Sequence, residues 1–331
     1  MLHRQGHDWI AEYAHFQYTH RITRDFLKLN EGNGLSDLAL STHGVNNGQA
    51  IKTGPVWSLV SGSAADRGAV LTMISELDKY HGMPNGMFSC DEHLAGLNPS
   101  QGSELCTVVE YMFSLERSLA IVGDVTLGDR LEKLAFNALP GALTDDMWAH
   151  QYNEEPNQVE CSLHHKPWTT DGPESNLYGL APNFGCCTAN FSQGWPKFAA
   201  SLFLLSGKQG TNVEDGLVAA AYAPSEVHTV LRDTPVRVIE ETDYPFREMV
   251  RLTIEPASPL NFPLQLRIPA WAEGKAITVK AWLVNEWRAT DGAADALPES
   301  RVASNEPEKT IALIPYAAAK LRITAFPQLE S

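Results

Sequence analysis

The spacing of apolar residues changes near residue 210, and this change divides what the chain can fold into. Before it, long segments repeat apolar residues at helical intervals; after it, short alternating or apolar runs stand between turn residues. The clearest helical segment is 103–121, where Leu105, Val108, Val109, Met112, Leu115 and Leu119 share a face. Ser103 is placed to cap it, which puts Glu104 and Cys106 in the first turn. Further helices are predicted over 7–28, 45–61, 65–81, 126–139 and 192–206. From 140 to 190 runs a stretch rich in Pro, Asn, Trp and His with little periodicity. A loop that long inside a compact domain is usually functional. Runs at 217–222, 236–239, 249–254, 264–268, 276–283, 310–314 and 321–325 predict an antiparallel β-sandwich. The expected organisation is a mainly α region over 1–210 followed by a β-sandwich domain over 211–331.

Composition narrows the partners. The chain is 44% hydrophobic and 20% charged, as in a globular protein with ample core. Its net charge is −15 and it has no basic run, which argues against nucleic acid and anionic membrane. A neutral or cationic small substrate fits. No apolar stretch approaches the roughly 20 residues that span a bilayer, and the first ten residues lack the apolar centre of a signal peptide. Five cysteines, an odd number with two adjacent, read as reduced thiols or a metal site rather than a secreted disulfide framework. A cytoplasmic location follows from that reading. Nothing in the sequence signals an oligomeric state.

The adjacent pair is Cys186-Cys187, within 183–190. Neighbouring cysteines bridge each other only through a strained ring, whereas a shared metal deprotonates both and cancels their repulsion. With Glu104 and Cys106 they make a four-ligand zinc site; the alternative is four separate buried side chains. Three thiolates and a carboxylate would close a tetrahedral shell and leave no position for an activated water. The zinc is then structural, or one thiolate is itself the nucleophile. Upstream, Asp91, Glu92 and His93 lie in a loop flanked by Gly and Pro, which reads as a general acid/base or as a solvated acidic turn. Cys90 and Cys161 have no partner at ligand spacing. His43, at a predicted helix start, caps that helix or binds substrate. Glu132 and Tyr152 are further contact candidates, or a surface carboxylate and a half-buried ring. Trp148, Trp168 and Trp195 near the cysteine loop would suit a sugar ring. Two other readings stay open: a non-catalytic sugar-binding protein with structural zinc, and an acyl transferase pairing Cys186 with His164 or His165.

These residues resemble glycoside hydrolase family 127, whose founding activity is β-L-arabinofuranosidase. The resemblance is carried by Glu104-Leu-Cys106, by Cys186-Cys187 with Asn190, and by the acidic loop before them. It extends to Glu132 with Asn137, to Tyr152, and to the segment 263–271 ending at Trp271, so it runs over nearly the whole chain. It implies a retaining glycosidase in which Cys186, held on zinc with Glu104, Cys106 and Cys187, attacks the anomeric carbon. Glu92 best matches the acid/base, with Asp91 as its rival. His43, Glu132 and Tyr152 would contact the sugar, a furanoside or related plant-type glycan. Two departures stand out: Thr188-Ala189 follows the cysteine pair where relatives often have two prolines, and the gap from Glu92 to Glu104 is shorter. The family's catalytic domain is an (α/α)6 barrel of twelve helices, which needs about 240 residues. Residues 1–207 carry about six predicted helices. The expectation is that 1–210 is the C-terminal portion of such a barrel, with any signal peptide upstream, and that the chain alone is a poor catalyst.

Overall fold

The computed structural model describes residues 43–164, 172–179, 185–207, 216–258 and 260–272, and short strands between 277 and 325. The helix predicted over 7–28 lies outside the described residues, as do Trp168 and His165. The chain divides into two compact units, Met1–Ala200 and Ser201–Ser331.

The first unit is helical around a small sheet. Helices α1 (Gly44–Ala50), α2 (Thr53–Ser61) and α3 (Ala64–His81) are followed by the central α4 (Leu105–Val122) and by α5 (Val125–Lys133). A π-helical turn, Leu134–Ala138, joins α5 to the short α6 (Leu139–Gly141); α7 (Gly185–Asn190) and α8 (Gly194–Ala199) close the unit. The predicted 45–61 helix is thus two helices. Ser63 and Asp124 cap α3 and α5 by accepting from the Asp66 and Thr126 amides. On α4 the predicted stripe is buried throughout, from Leu105 to Leu119. Its first residue is not where the sequence put it: Ser103 and Glu104 form a strand, and Glu104 is the N-cap with no side-chain cap bond. Gly44 lets α1 approach α4 closely, since a Cβ there would sit 2.7 Å from Cys90 Sγ and 3.0 Å from Thr107 Oγ1.

The sheet has the order β2 (His93–Leu94), β1 (Cys90–Asp91), β3 (Ser103–Glu104), β4 (Asn153–Glu154). Its strands are two residues long, but they join three distant segments. Cys90 pairs with Ser103, and Glu104 with Asn153.

In the second unit, β5 (Phe203–Ser206), β6 (Gly216–Ala219), β10 (Leu260–Leu266) and β15 (Ala319–Ala325) form one sheet in the order β15-β10-β6-β5. The short strands β11 (Ile277–Thr278) and β14 (Thr310–Ile311) pair with each other, as do β12 (Trp282–Val284) and β13 (Arg301–Ala303). Strands β7 (Ser225–Leu231), β8 (Thr234–Thr242) and β9 (Val250–Pro256) form an antiparallel meander. Leu217 of β6, Leu231 of β7, Val236 and Val238 of β8, and Phe262 and Leu264 of β10 make one apolar cluster drawn from both sheets.

Three expectations need correction here. The helix predicted over 192–206 ends at Ala199, and 203–206 is β5, because a short apolar run reads equally as helix or strand and pairing with β6 decides. The strand β7 escaped the sequence reading because its alternating signal is weak: its inward positions include Ser225 and Thr229 and its outward positions include Val230. The sheet is not purely antiparallel: β6 pairs with β10 in parallel. Parallel neighbours need a long connection, and the meander β7–β9 supplies it.

Candidate metal centre and active site

The small sheet brings the acidic loop to the start of α4. Strands β1 and β2 pair Asp91 with His93, so the chain reverses at Glu92 alone. Such a reversal demands a left-handed residue, and Glu92 has φ +64. A non-glycine residue held there is strained, a condition that clusters at functional sites. The reversal also separates the two carboxylates. Asp91 is buried, and its Oδ1 accepts from the Gly102 amide at 3.1 Å and from Asn153 Nδ2. Glu92 is half-exposed: Oε1 meets His43 Nε2 at 3.0 Å and Oε2 accepts from the buried Tyr152 hydroxyl. His43 caps α1, the first of its two sequence readings, since its Nδ1 accepts from the Asn46 amide. Its ring also meets His93 edge-on at 5.9 Å.

The second half of the site comes from α7. Cys187 is buried and Cys186 exposed, and with Glu104 and Cys106 their ligand atoms all lie within 4.8 Å of one another. The sulfur of Cys187 stands 3.4 Å from that of Cys106 and 3.9 Å from that of Cys186. A second set, His43, Glu92 and Glu104, converges equally closely and shares Glu104 with the first. Asn190 Nδ2 reaches the Cys106 carbonyl at 3.5 Å, tying α7 to α4. Thr188, at the departure from the expected prolines, bonds through Oγ1 with His150 Nε2 at 2.9 Å.

The electrostatics are those of too many acids in one place. Burial, reinforced by Cys106, pushes the Glu104 carboxyl up to about 10. The hydrogen bond from Cys187 brings the Cys186 thiol down to about 6, while bonds to Cys106 and Cys186 raise Cys187. Hydrogen bonds from His43 and Tyr152 outweigh partial burial and hold Glu92 down at about 2. Glu104 Oε2 is fully buried with no hydrogen-bond partner among the described residues. An orphaned carboxylate oxygen beside three clustered thiols is a donor set that a thiophilic divalent cation satisfies.

Of the other sequence candidates, Glu132 is buried on α5 and belongs to neither ligand set. His164 pairs with Glu160 and Ser162 at the surface. Trp195 donates to the Ala135 carbonyl, and Trp148 stands exposed. Cys161 stays apart from the cluster at the surface, and Cys90 is buried behind the acidic loop. The sequence reading passed over His150 and Asn153, although both lie within two residues of Tyr152; a short strand carrying polar residues gives no periodic signal.

Residues 216–292 match the family model described as "Beta-L-arabinofuranosidase, GH127 middle domain". The fold matches a GH127 β-L-arabinofuranosidase from Geobacillus stearothermophilus T6 with a TM-score of 0.64 at 19% identity, over 86% of this chain and 41% of that one. A second GH127 β-arabinofuranosidase matches with a TM-score of 0.57 at 16% identity, over 86% and 41%. A third structure, a glycoside hydrolase, matches at 0.62 and 16%, over 87% and 45%. No curated protein sequence matches significantly. The resemblance to glycoside hydrolase family 127 therefore holds for the fold of most of the chain and for the domain at 216–292. The chain spans less than half the length of these solved relatives. Among the described residues, no helix is long and apolar enough to cross a membrane.

Proposed function

We propose that this chain is part of a retaining glycoside hydrolase acting on β-L-arabinofuranosides or related plant-type glycans. In this reading the helices of the first unit belong to an (α/α)6 barrel, and the two sheets of the second unit form a β-sandwich. The observation that carries it is the convergence of Cys186 and Glu92 on Glu104, with His43 and Tyr152 holding the Glu92 carboxylate. The matching relatives are named as arabinofuranosidases and a glycoside hydrolase, which supports the substrate class.

Glu104, Cys106, Cys186 and Cys187 would hold zinc, which keeps bound sulfur deprotonated at neutral pH. In the first step Cys186 Sγ attacks the anomeric carbon, a C–S bond forms, and the glycosidic C–O bond breaks. Glu92 gives its proton to the departing oxygen. In the second step Glu92, now a carboxylate, takes a proton from water, whose oxygen attacks the anomeric carbon and releases the cysteine thiolate. Two displacements return the original stereochemistry, as in retaining enzymes that use two carboxylates. His43 and Tyr152 favour the carboxylate form, the form that activates water. A sugar hydroxyl drawing either donor away would raise the affinity of Glu92 for the proton it needs in the first step. Asp91 is unsuited to this role because it is buried and engaged with Gly102 and Asn153. His43, Tyr152 and Glu132 are assigned to the sugar. A reducing compartment such as the cytoplasm suits a centre whose cysteines are all unpaired.

The test is turnover of an aryl β-L-arabinofuranoside together with labelling by a mechanism-based furanoside inactivator. The expected adduct sits on a peptide containing Cys186. Label on a carboxylate, or activity that survives Cys186→Ala, would overturn the mechanism. Sugar binding and zinc without any turnover would select the non-catalytic reading.

A further inference from the structure

The segment 151–155 faces two environments. Tyr152 and Asn153 turn to the acidic loop, through Glu92 and Asp91. Gln151 and Glu154 instead line a separate cavity of about 560 Å³, within the roughly 300–1,000 Å³ usual for small-molecule sites. Its other walls include Asn85, Asn137 from the π-helical turn, Gln158 and Tyr178. Single π-turns inside helices frequently mark functional sites.

The chemistry of the walls selects the occupant. No lysine or arginine lines the cavity, so nothing there would compensate an anion. Nor is it a cation cage: among the described residues, its carboxylates belong to no set of ligand atoms converging within 4.8 Å. What lines it is a set of planar amides and carboxyls beside one aromatic ring. Such groups offer adjacent donors and acceptors, the array that meets neighbouring hydroxyls.

Glu154 is the centre of this array. It is only 6% exposed; Oε1 accepts from Asn85 Nδ2 at 2.8 Å, and Oε2 has no partner among the described residues. Burial raises its carboxyl well above the usual range, which favours the protonated form, one able both to donate and to accept. Gly141 keeps that oxygen accessible, since a Cβ there would stand 2.8 Å from Oε2. Gln151 Nε2 donates to Gln158 Oε1 at 3.0 Å and to the Asn176 carbonyl at 2.7 Å, which fixes the Gln158 amide in place. The Tyr178 hydroxyl donates to the Gly141 carbonyl at 3.2 Å, which orients its ring.

We propose that this cavity is a second saccharide site, which takes a neutral oligosaccharide through its hydroxyls and one ring face. The proposal rests on the glycosidase reading for the class of sugar. The segment 152–154 joins the two sites, since Tyr152, just before β4, reaches Glu92 and Glu154, at the end of β4, lines the cavity.

The experiment is hydrogen–deuterium exchange on the Cys186→Ala chain with an arabinan-derived tetrasaccharide as probe. Saturating tetrasaccharide should slow exchange over 151–160 and 172–179. Gln158→Ala and Tyr178→Ala should each weaken that protection about tenfold in apparent Kd, and Tyr178→Phe, which keeps the ring, should weaken it less. Each variant is first shown to match the parent's exchange without sugar. Protection confined to the segments around Glu92, Glu104 and Cys186 would overturn the proposal, as would protection by spermidine in place of the sugar. Cleavage of the tetrasaccharide by the unsubstituted chain without protection of 151–160 would sink the cavity site and leave the glycosidase reading. Protection there without cleavage would do the reverse.

Discussion

The sulfur of Cys187 lies 3.4 Å from that of Cys106, a residue 81 positions earlier in the chain. Two thiols that close, unbridged and joined by Cys186 and a buried carboxylate, form a cluster that is costly without a cation. Its acids cannot all ionise in so small a volume, and Glu104 keeps a buried oxygen with no partner among the described residues.

Zinc should therefore bind at about one ion per chain. Elemental analysis of the purified protein should find it, and Cys187→Ser should lose most of it. Chelation should lower Tm, because an ion that binds only the folded state stabilises by roughly 4 kcal/mol at a thousandfold excess over its Kd. Equal, substoichiometric metal in both proteins would remove the site.

Asp91 and Glu92 should separate in function as they do in space. Glu92→Gln should lower kcat on an aryl arabinofuranoside by about 10²–10⁴-fold, the usual contribution of an acid/base. Asp91→Asn should act chiefly on folding, at about 1–3 kcal/mol, because it disturbs a buried acceptor of two hydrogen bonds. Paired kinetic and denaturant measurements distinguish the two, and the opposite pattern would move the role to Asp91.

Glu116, on α4 well beyond the cluster, should make stability fall as pH rises. Burial pushes its carboxyl up to about 8, and neither oxygen has a hydrogen-bond partner among the described residues. The folded state then holds a proton that the unfolded state releases near pH 4.5. Stability is lost progressively between these values and is level above about 8. Glu116→Gln should flatten this slope and raise Tm at pH 8. Melting curves from pH 5 to 9 test it, and parallel curves for both proteins would contradict it.

Gly44→Ala should destabilise the first unit by about 1–3 kcal/mol, the usual cost of overpacking. The added methyl would meet Cys90 and Thr107, both buried behind the acidic loop. Because the Gly44 amide also bonds the Glu92 carbonyl at 2.9 Å, the strain should reach the candidate acid/base. Denaturant unfolding reports the first effect and kcat the second. Unchanged values for both would mean the α1–α4 contact yields freely.

The sequence by itself determined the division into helical and β regions, the buried stripe of α4, and the types of ligand gathered at Glu104, Cys106, Cys186 and Cys187. These rest on periodicity and on donor chemistry, which belong to a residue and its near neighbours. Tertiary structure alone decided which of two adjacent carboxylates faces the cluster. The reversal between β1 and β2 sends Asp91 inward and leaves Glu92 at the tip, and β1 is tied to the start of α4 by the pairing of Cys90 with Ser103, thirteen residues later. It also decided that 203–206 is a strand, since an apolar run of four is ambiguous until a partner strand takes its hydrogen bonds. The parallel pairing of β6 with β10, and the turning of Gln151 and Glu154 into a second cavity, depend likewise on contacts between segments distant in the chain. No local pattern carries that information.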